Sequence, residues 1–157
     1  MAYRVAHELS DRVAGVAGVI ANLPVDPARE CPSRPARPLS VVVMNGTSDP
    51  LMPFAGGALP AGSGGTVQSA TATRDHWIGA NGCSTQATTE TLPDLAPGDG
   101  STVVRELYGG CAGGEWVAFY RVVGGGLDLA SRRYFTGAPS QNRDVVGAEV
   151  MWSELRN

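Results

Sequence analysis

Leu39 to Met44 reads Leu-Ser-Val-Val-Val-Met, an almost unbroken apolar run that predicts a strand buried on both faces, as in a parallel sheet. Val13 to Ile20, Val-Ala-Gly-Val-Ala-Gly-Val-Ile, predicts a second buried strand whose small residues let helices approach closely. Three stretches carry the helical period instead. Met1 to Ser10 sets Val5 and Leu9 on one face, extended by Val13, with Arg4, Glu8 and Asp11 elsewhere and no N-cap. Thr66 to Ala80 places Val67, Ala70 and Ile78 near one face with Trp77 beside them. Val145, Ala148, Val150, Met151, Trp152 and Leu155 give a C-terminal helix with a wide apolar face, capped by Asn142 or Asp144. Thr102 to Tyr108 and Glu115 to Val123 are β-rich and flank Gly109 to Gly114; they predict a hairpin-like pair with a long loop, or the second alone is the last core strand. Four prolines between Val25 and Pro38 exclude a helix or central strand there, and Ser84 to Ser101 and Leu127 to Asn142 read as loop. Together these elements predict an α/β fold of three or four mainly parallel strands with flanking helices.

The central run breaks abruptly into Asn45-Gly46-Thr47-Ser48-Asp49-Pro50-Leu51-Met52-Pro53-Phe54-Ala55-Gly56-Gly57. In open α/β sheets, ligands and catalytic side chains collect at the carboxyl ends of the strands, so Asp49 stands where an active site is expected. An Asp before Pro is also the pattern of a plain turn. Its place at a strand end gives it the chemical reading.

That loop resembles the acid-residue loop of the polyhydroxybutyrate depolymerase and feruloyl esterase-like α/β-hydrolases, where it follows a core strand and its Asp is the acid of a Ser-Asp-His triad. The resemblance extends to both sides. Met1-Ala2-Tyr3-Arg4-Val5-Ala6 resembles the helix after the family's nucleophile, and Ala80-Asn81-Gly82-Cys83 with Tyr108-Gly109-Gly110-Cys111 resembles its downstream Cys-bearing segments. Val122-Val123-Gly124-Gly125-Gly126 resembles the approach to its His, and Asp144 to Leu155 its C-terminal helix. What this implies is the C-terminal portion of a single α/β-hydrolase domain over residues 1–157, a partial hydrolase sheet without the nucleophile-elbow half. It further implies serine ester hydrolysis of short-chain polyesters or aryl and feruloyl esters, with Asp49 as triad acid and no cofactor or metal ion. In secreted relatives Cys83 and Cys111 would form a disulfide, leaving Cys31 free or seeking a partner in the absent N-terminal half.

Two departures limit the activity expected of the chain alone. The family's Gly-x-Ser-x-Gly elbow lies just before the helix that Met1 begins, and the nearest pattern here, Ala61-Gly62-Ser63-Gly64-Gly65, lacks the first Gly and follows no strand. Where the family reads Gly-Gly-Gly-His, this chain reads Gly124-Gly125-Gly126-Leu127, and leucine cannot accept a proton. The chain is therefore read as an ester hydrolase by descent, incomplete and inactive alone. The alternative is a degenerate, non-catalytic remnant acting as a binding module. A third reading, another chemistry using Asp49 with His76, has no second carboxylate, metal cluster or activated Cys to support it. His76 reads as peripheral, and His7 as a surface or boundary residue.

Composition narrows the partners. With 157 residues, 43% of them apolar, the chain suits one domain with a real core. A formal net charge of -3, only 17% charged residues and no basic cluster argue against nucleic acid and anionic lipid as partners. Arg132, Arg133 and Tyr134 read as a solvated turn, and Gly109 to Gly114 lacks the Gly-Lys-Ser/Thr of a phosphate loop. No apolar run approaches the ~18 residues of a membrane span, and Met1 to Arg12 has no continuous apolar centre to serve as a secretory signal. A cytoplasmic location is expected on that ground, and three cysteines without a signal argue for thiols, against the disulfide implied by the resemblance. A sheet lacking its nucleophile strand would expose an unpaired edge, so self-association through that edge is expected.

Overall fold

A computed structural model describes residues 1–26, 34–60, 65–126, 130 and 141–156. The elements in chain order are α1 (Ala2–Glu8), β1 (Gly15–Val19), β2 (Ser40–Gly46), β3 (Gly57–Ala58), β4 (Thr66–Val67), α2 (Ala70–Asn81), β5 (Thr88–Thr91), a 3-10 turn (Pro97–Asp99), β6 (Thr102–Tyr108), β7 (Val117–Val123) and α3 (Gly147–Leu155). Five strands form one sheet in the order β1-β2-β7-β6-β5, and β3 with β4 forms a small separate ribbon.

The sheet is mixed rather than mainly parallel. β2 lies between β1 and β7, parallel to both, whereas β6 runs antiparallel to β7 and β5 antiparallel to β6. Only a short glycine-rich loop joins β6 to β7, which suits antiparallel neighbours; parallel neighbours need a long crossover. The hairpin reading of this pair therefore holds and the reading of the second run alone as a core strand does not; β7 pairs antiparallel with β6 on one side and parallel with β2 on the other. β5, Thr-Thr-Glu-Thr, is exposed at all four positions, so no apolar alternation marks it as a strand.

Every residue of β2 is buried. Its side chains alternate between two apolar layers, as a pleated strand requires. Val41 and Val43 pack with Val16, Val117 and Phe119 beneath α1 and α2. Val42 and Met44 pack with Ala118, Tyr120 and Val122, where Val150, Met151 and Leu155 of α3 cover them. Helices thus lie on both faces.

Local chemistry explains where helix boundaries and faces differ from expectation. Ser69 caps α2, its Oγ accepting the Ala72 N–H at 3.0 Å, so the helix begins at Ala70 and leaves Thr66 and Val67 to the ribbon. It ends on Gly82 in the left-handed region at φ 63°. α1 buries Tyr3, Ala6 and His7, while Leu9 is exposed. Tyr3 decides that rotation: its hydroxyl donates to Ala21 O at 3.2 Å and its ring lies 5.8 Å from that of Trp77. Gly18 makes the room, since a Cβ there would stand 2.1 Å from the Tyr3 hydroxyl oxygen. His7 is accordingly buried, not a surface residue.

Neither Asn142 nor Asp144 caps α3, whose N-cap is Val146. Asp144 Oδ1 instead accepts the Leu95 and Ala96 N–H groups, and Asn142 Nδ2 donates to Ser101 Oγ. Trp152 is two-thirds exposed, so the apolar face of α3 is narrower than its sequence suggests. Cys83 and Cys111 form a disulfide that ties the end of α2 to the β6–β7 loop. Cys31, Ser63, Leu127, Arg132, Arg133 and Tyr134 lie outside the described residues.

The two edges of the sheet differ. β5 is polar and carries Glu90, the kind of edge that resists further pairing. β1, Gly-Val-Ala-Gly-Val, pairs only with β2, and its outer edge has no hydrogen-bond partner among the described residues. No helix among the described residues is long and apolar enough to cross a membrane.

Candidate active site

Asp49 lies just past the end of β2, the middle strand of the parallel block, as its sequence position leads one to expect. Its side chain is about nine-tenths buried. Oδ1 accepts two backbone N–H groups, from Leu51 at 2.7 Å and Met52 at 2.8 Å. Such a turn fixes the carboxylate by groups adjacent to it in the chain. Oδ2 is also buried and has no hydrogen-bond partner among the described residues. A carboxylate held on one oxygen and unsatisfied on the other is an acceptor prepared for a donor, because a buried unpaired polar atom is costly unless something completes it.

The loop carrying Asp49 is fastened to the segment after β7. Thr47 N–H donates to Val122 O at 2.9 Å, and Gly124 N–H donates to Thr47 Oγ1 at 2.9 Å. Ser48 N–H donates to Gly125 O at 2.9 Å. Gly46 permits this approach, since a Cβ there would lie 2.3 Å from Gly125 O and 2.6 Å from Gly126 O. The two segments that the resemblance assigns to triad acid and triad base are therefore in direct contact. Thr47 has no catalytic pattern of its own, so nothing in the sequence marked it.

Two further side chains gather at this end of the sheet. Asn45 Nδ2 donates to Asn22 Oδ1 at 3.3 Å, and Asn22 Nδ2 donates to Pro53 O at 3.0 Å, which holds the loop over the end of β1. Asn45 Oδ1 is buried without a hydrogen-bond partner among the described residues. Nearby Ile20 has φ 52°, the one non-glycine positive φ among the described residues. A β-branched residue in that region is strained, and such strain gathers at functional sites. The signal for Asn22 was present only as a polar residue closing an apolar run.

The histidines form a separate group. His76 Nε2 lies 3.2 Å from His7 Nε2, and both rings pack against Trp77. Burial, then the neighbouring His7, pushes the His76 imidazole below its ordinary value. Asp75, next to it in sequence, is held by Arg74 at 2.8 Å. His76 thus turns to His7 and not to Asp49, and the pairing of Asp49 with His76 is not made. What the Asp49 arrangement offers chemically is a fixed, buried carboxylate oxygen able to accept a hydrogen bond.

No family model matches the chain. Among curated proteins it is similar to the Nocardia uniformis subsp. tsuyamanensis protein named "Putative esterase NocK", at 35% identity over 135 residues that take in 80% of this chain and 38% of that protein. The chain therefore spans well under half the length of this relative.

Proposed function

We propose that this chain is the acid-bearing part of a serine ester hydrolase of the polyhydroxybutyrate depolymerase and feruloyl esterase-like type, with short-chain polyesters or aryl esters as the substrate class. The observation that carries this is the buried, half-satisfied Asp49 carboxylate on a loop fastened to Gly124–Gly126. Similarity to a protein named as an esterase supports the same chemistry. In the complete site Asp49 Oδ2 accepts an imidazole N–H and fixes its tautomer. That imidazole takes the serine proton, and backbone N–H groups hold the developing oxyanion. The outer β1 edge, unpaired among the described residues, is where the nucleophile-bearing half of such a sheet would continue. The Cys83–Cys111 bridge favours an oxidising, extracellular setting over the cytoplasm.

Leu127, in the place where the family has its base, favours a second reading, a binding module descended from such an enzyme. Nitrophenyl butyrate hydrolysis by the purified chain, beside Asp49→Asn, separates these proposals from a self-sufficient enzyme. Both proposals predict no turnover above the variant. Turnover that Asp49→Asn abolishes would place a nucleophile and base within these residues and overturn both.

A further inference from the structure

The contact between His7 and His76 joins two helices and has no part in the chemistry proposed for Asp49. His7 lies in the last turn of α1 and His76 in the middle of α2, 69 residues apart, so no sequence spacing signals the pair. Their Nε2 atoms are 3.2 Å apart, their ring centroids 5.1 Å apart, and the ring planes are tilted by 42°. A direct hydrogen bond uses this geometry if one Nε2 carries the proton. Two nitrogens bound to one tetrahedral cation at ~2.0–2.1 Å each are also separated by about 3.3 Å. His76 is only half-buried, which gives a cation and its water ligands an approach.

We propose that His7 and His76 form a two-imidazole site for a borderline divalent cation of the zinc, nickel or copper class, with water at the remaining positions. No third His, Cys, Asp or Glu joins them among the described residues, so the site is open and of modest affinity. Imidazole-only ligation disfavours magnesium and calcium, which require oxygen ligands. Among the described residues, the acidic neighbours in sequence are engaged, Glu8 by Arg4 and Asp75 by Arg74. Cation binding needs both Nε2 lone pairs, so the imidazole that donates in the metal-free pair moves its proton to Nδ1, with no net proton released.

Trp77 supplies the readout, because its ring lies 4.9 Å from that of His7 and 5.1 Å from that of His76. The experiment titrates the purified chain, carrying Cys31→Ser to remove a competing sulfur ligand, with copper(II) and then nickel(II) while tryptophan fluorescence is followed. Magnesium serves as control. Saturable quenching of part of the signal from the three tryptophans is expected with the transition metals and none with magnesium. His76→Gln, at the half-buried position, should retain the circular dichroism of the parent and weaken apparent affinity by at least about tenfold. His7→Gln should do the same if it folds, but the conclusion rests on His76→Gln. Absence of saturable quenching, or quenching that His76→Gln leaves unchanged, would overturn the proposal and leave the pair as a hydrogen bond between helices.

Discussion

Gly46→Ala tests the contact on which the candidate site depends. The new Cβ would stand 2.3 Å from Gly125 O and 2.6 Å from Gly126 O, both backbone atoms that no rotamer change can move aside. Reaching an ordinary separation of ~3.5 Å requires a shift of about 1 Å. A shift of that size takes Gly125 O out of reach of the Ser48 N–H, now 2.9 Å away. Overpacking costs ~1–3 kcal/mol and the broken hydrogen bond ~0.5–1.5 kcal/mol, against ~0.5–1 kcal/mol regained from the less flexible unfolded chain. The net expectation is about 0.5–4 kcal/mol of destabilisation, centred at ~2 kcal/mol, seen in urea unfolding as a lower midpoint with an unchanged slope. Gly79→Ala is the matched control, because a Cβ there meets nothing within 4 Å and the position is helical. It should stabilise by ~0.5–1 kcal/mol. A loss below ~0.5 kcal/mol for Gly46→Ala, within the range of neutral substitutions, would refute the close approach of these two loops.

Three other outcomes follow from the same structure. Replacing Cys83 and Cys111 by Ser should cost about 3.5 kcal/mol in urea unfolding under oxidising conditions, from the loop entropy of a 28-residue separation; a loss under ~1 kcal/mol would mean the bridge constrains little. His76 binds its proton less readily folded than unfolded, so its contribution is fully present above its ordinary value of 6.5 and is lost as pH falls below it. Stability measured from pH 8 to 5 should therefore fall less steeply in His76→Gln than in the parent, and parallel curves would contradict this. The β1 edge, unpaired among the described residues, predicts concentration-dependent self-association of the chain in sedimentation, whereas a sharp monomer with cooperative unfolding would count against it.

How much of this was legible depended on whether the signal was local. The β-branched run of β2 announced a strand buried on both sides, and the break at Asn45 located Asp49 at its carboxyl end. Alternation at Val41, Val42, Val43 and Met44 carried no information about which layer each would join, and it did not need to. β5 was invisible because Thr88–Thr91 is exposed and polar, held only by pairing with β6. The face of α1 was misread for a tertiary reason: hydrophobicity favoured Val5 and Leu9, but the Tyr3 hydroxyl, the gap at Gly18 and the Trp77 ring decide the rotation. His7 was carried inward by the same rotation. At the candidate site, the position of Asp49 could be read from its strand end, while Thr47 and Asn22 act through backbone groups distant in sequence.

The central claim is that Asp49 is a triad acid awaiting its base and nucleophile. Its most direct test exchanges the matched segment of the Nocardia uniformis relative for this chain carrying Leu127→His, then compares ester hydrolysis with and without Asp49→Asn. The account predicts turnover in the exchanged protein and a fall in kcat on the order of 10³–10⁴-fold when Asp49 is replaced. Turnover that is indifferent to Asp49 would contradict it.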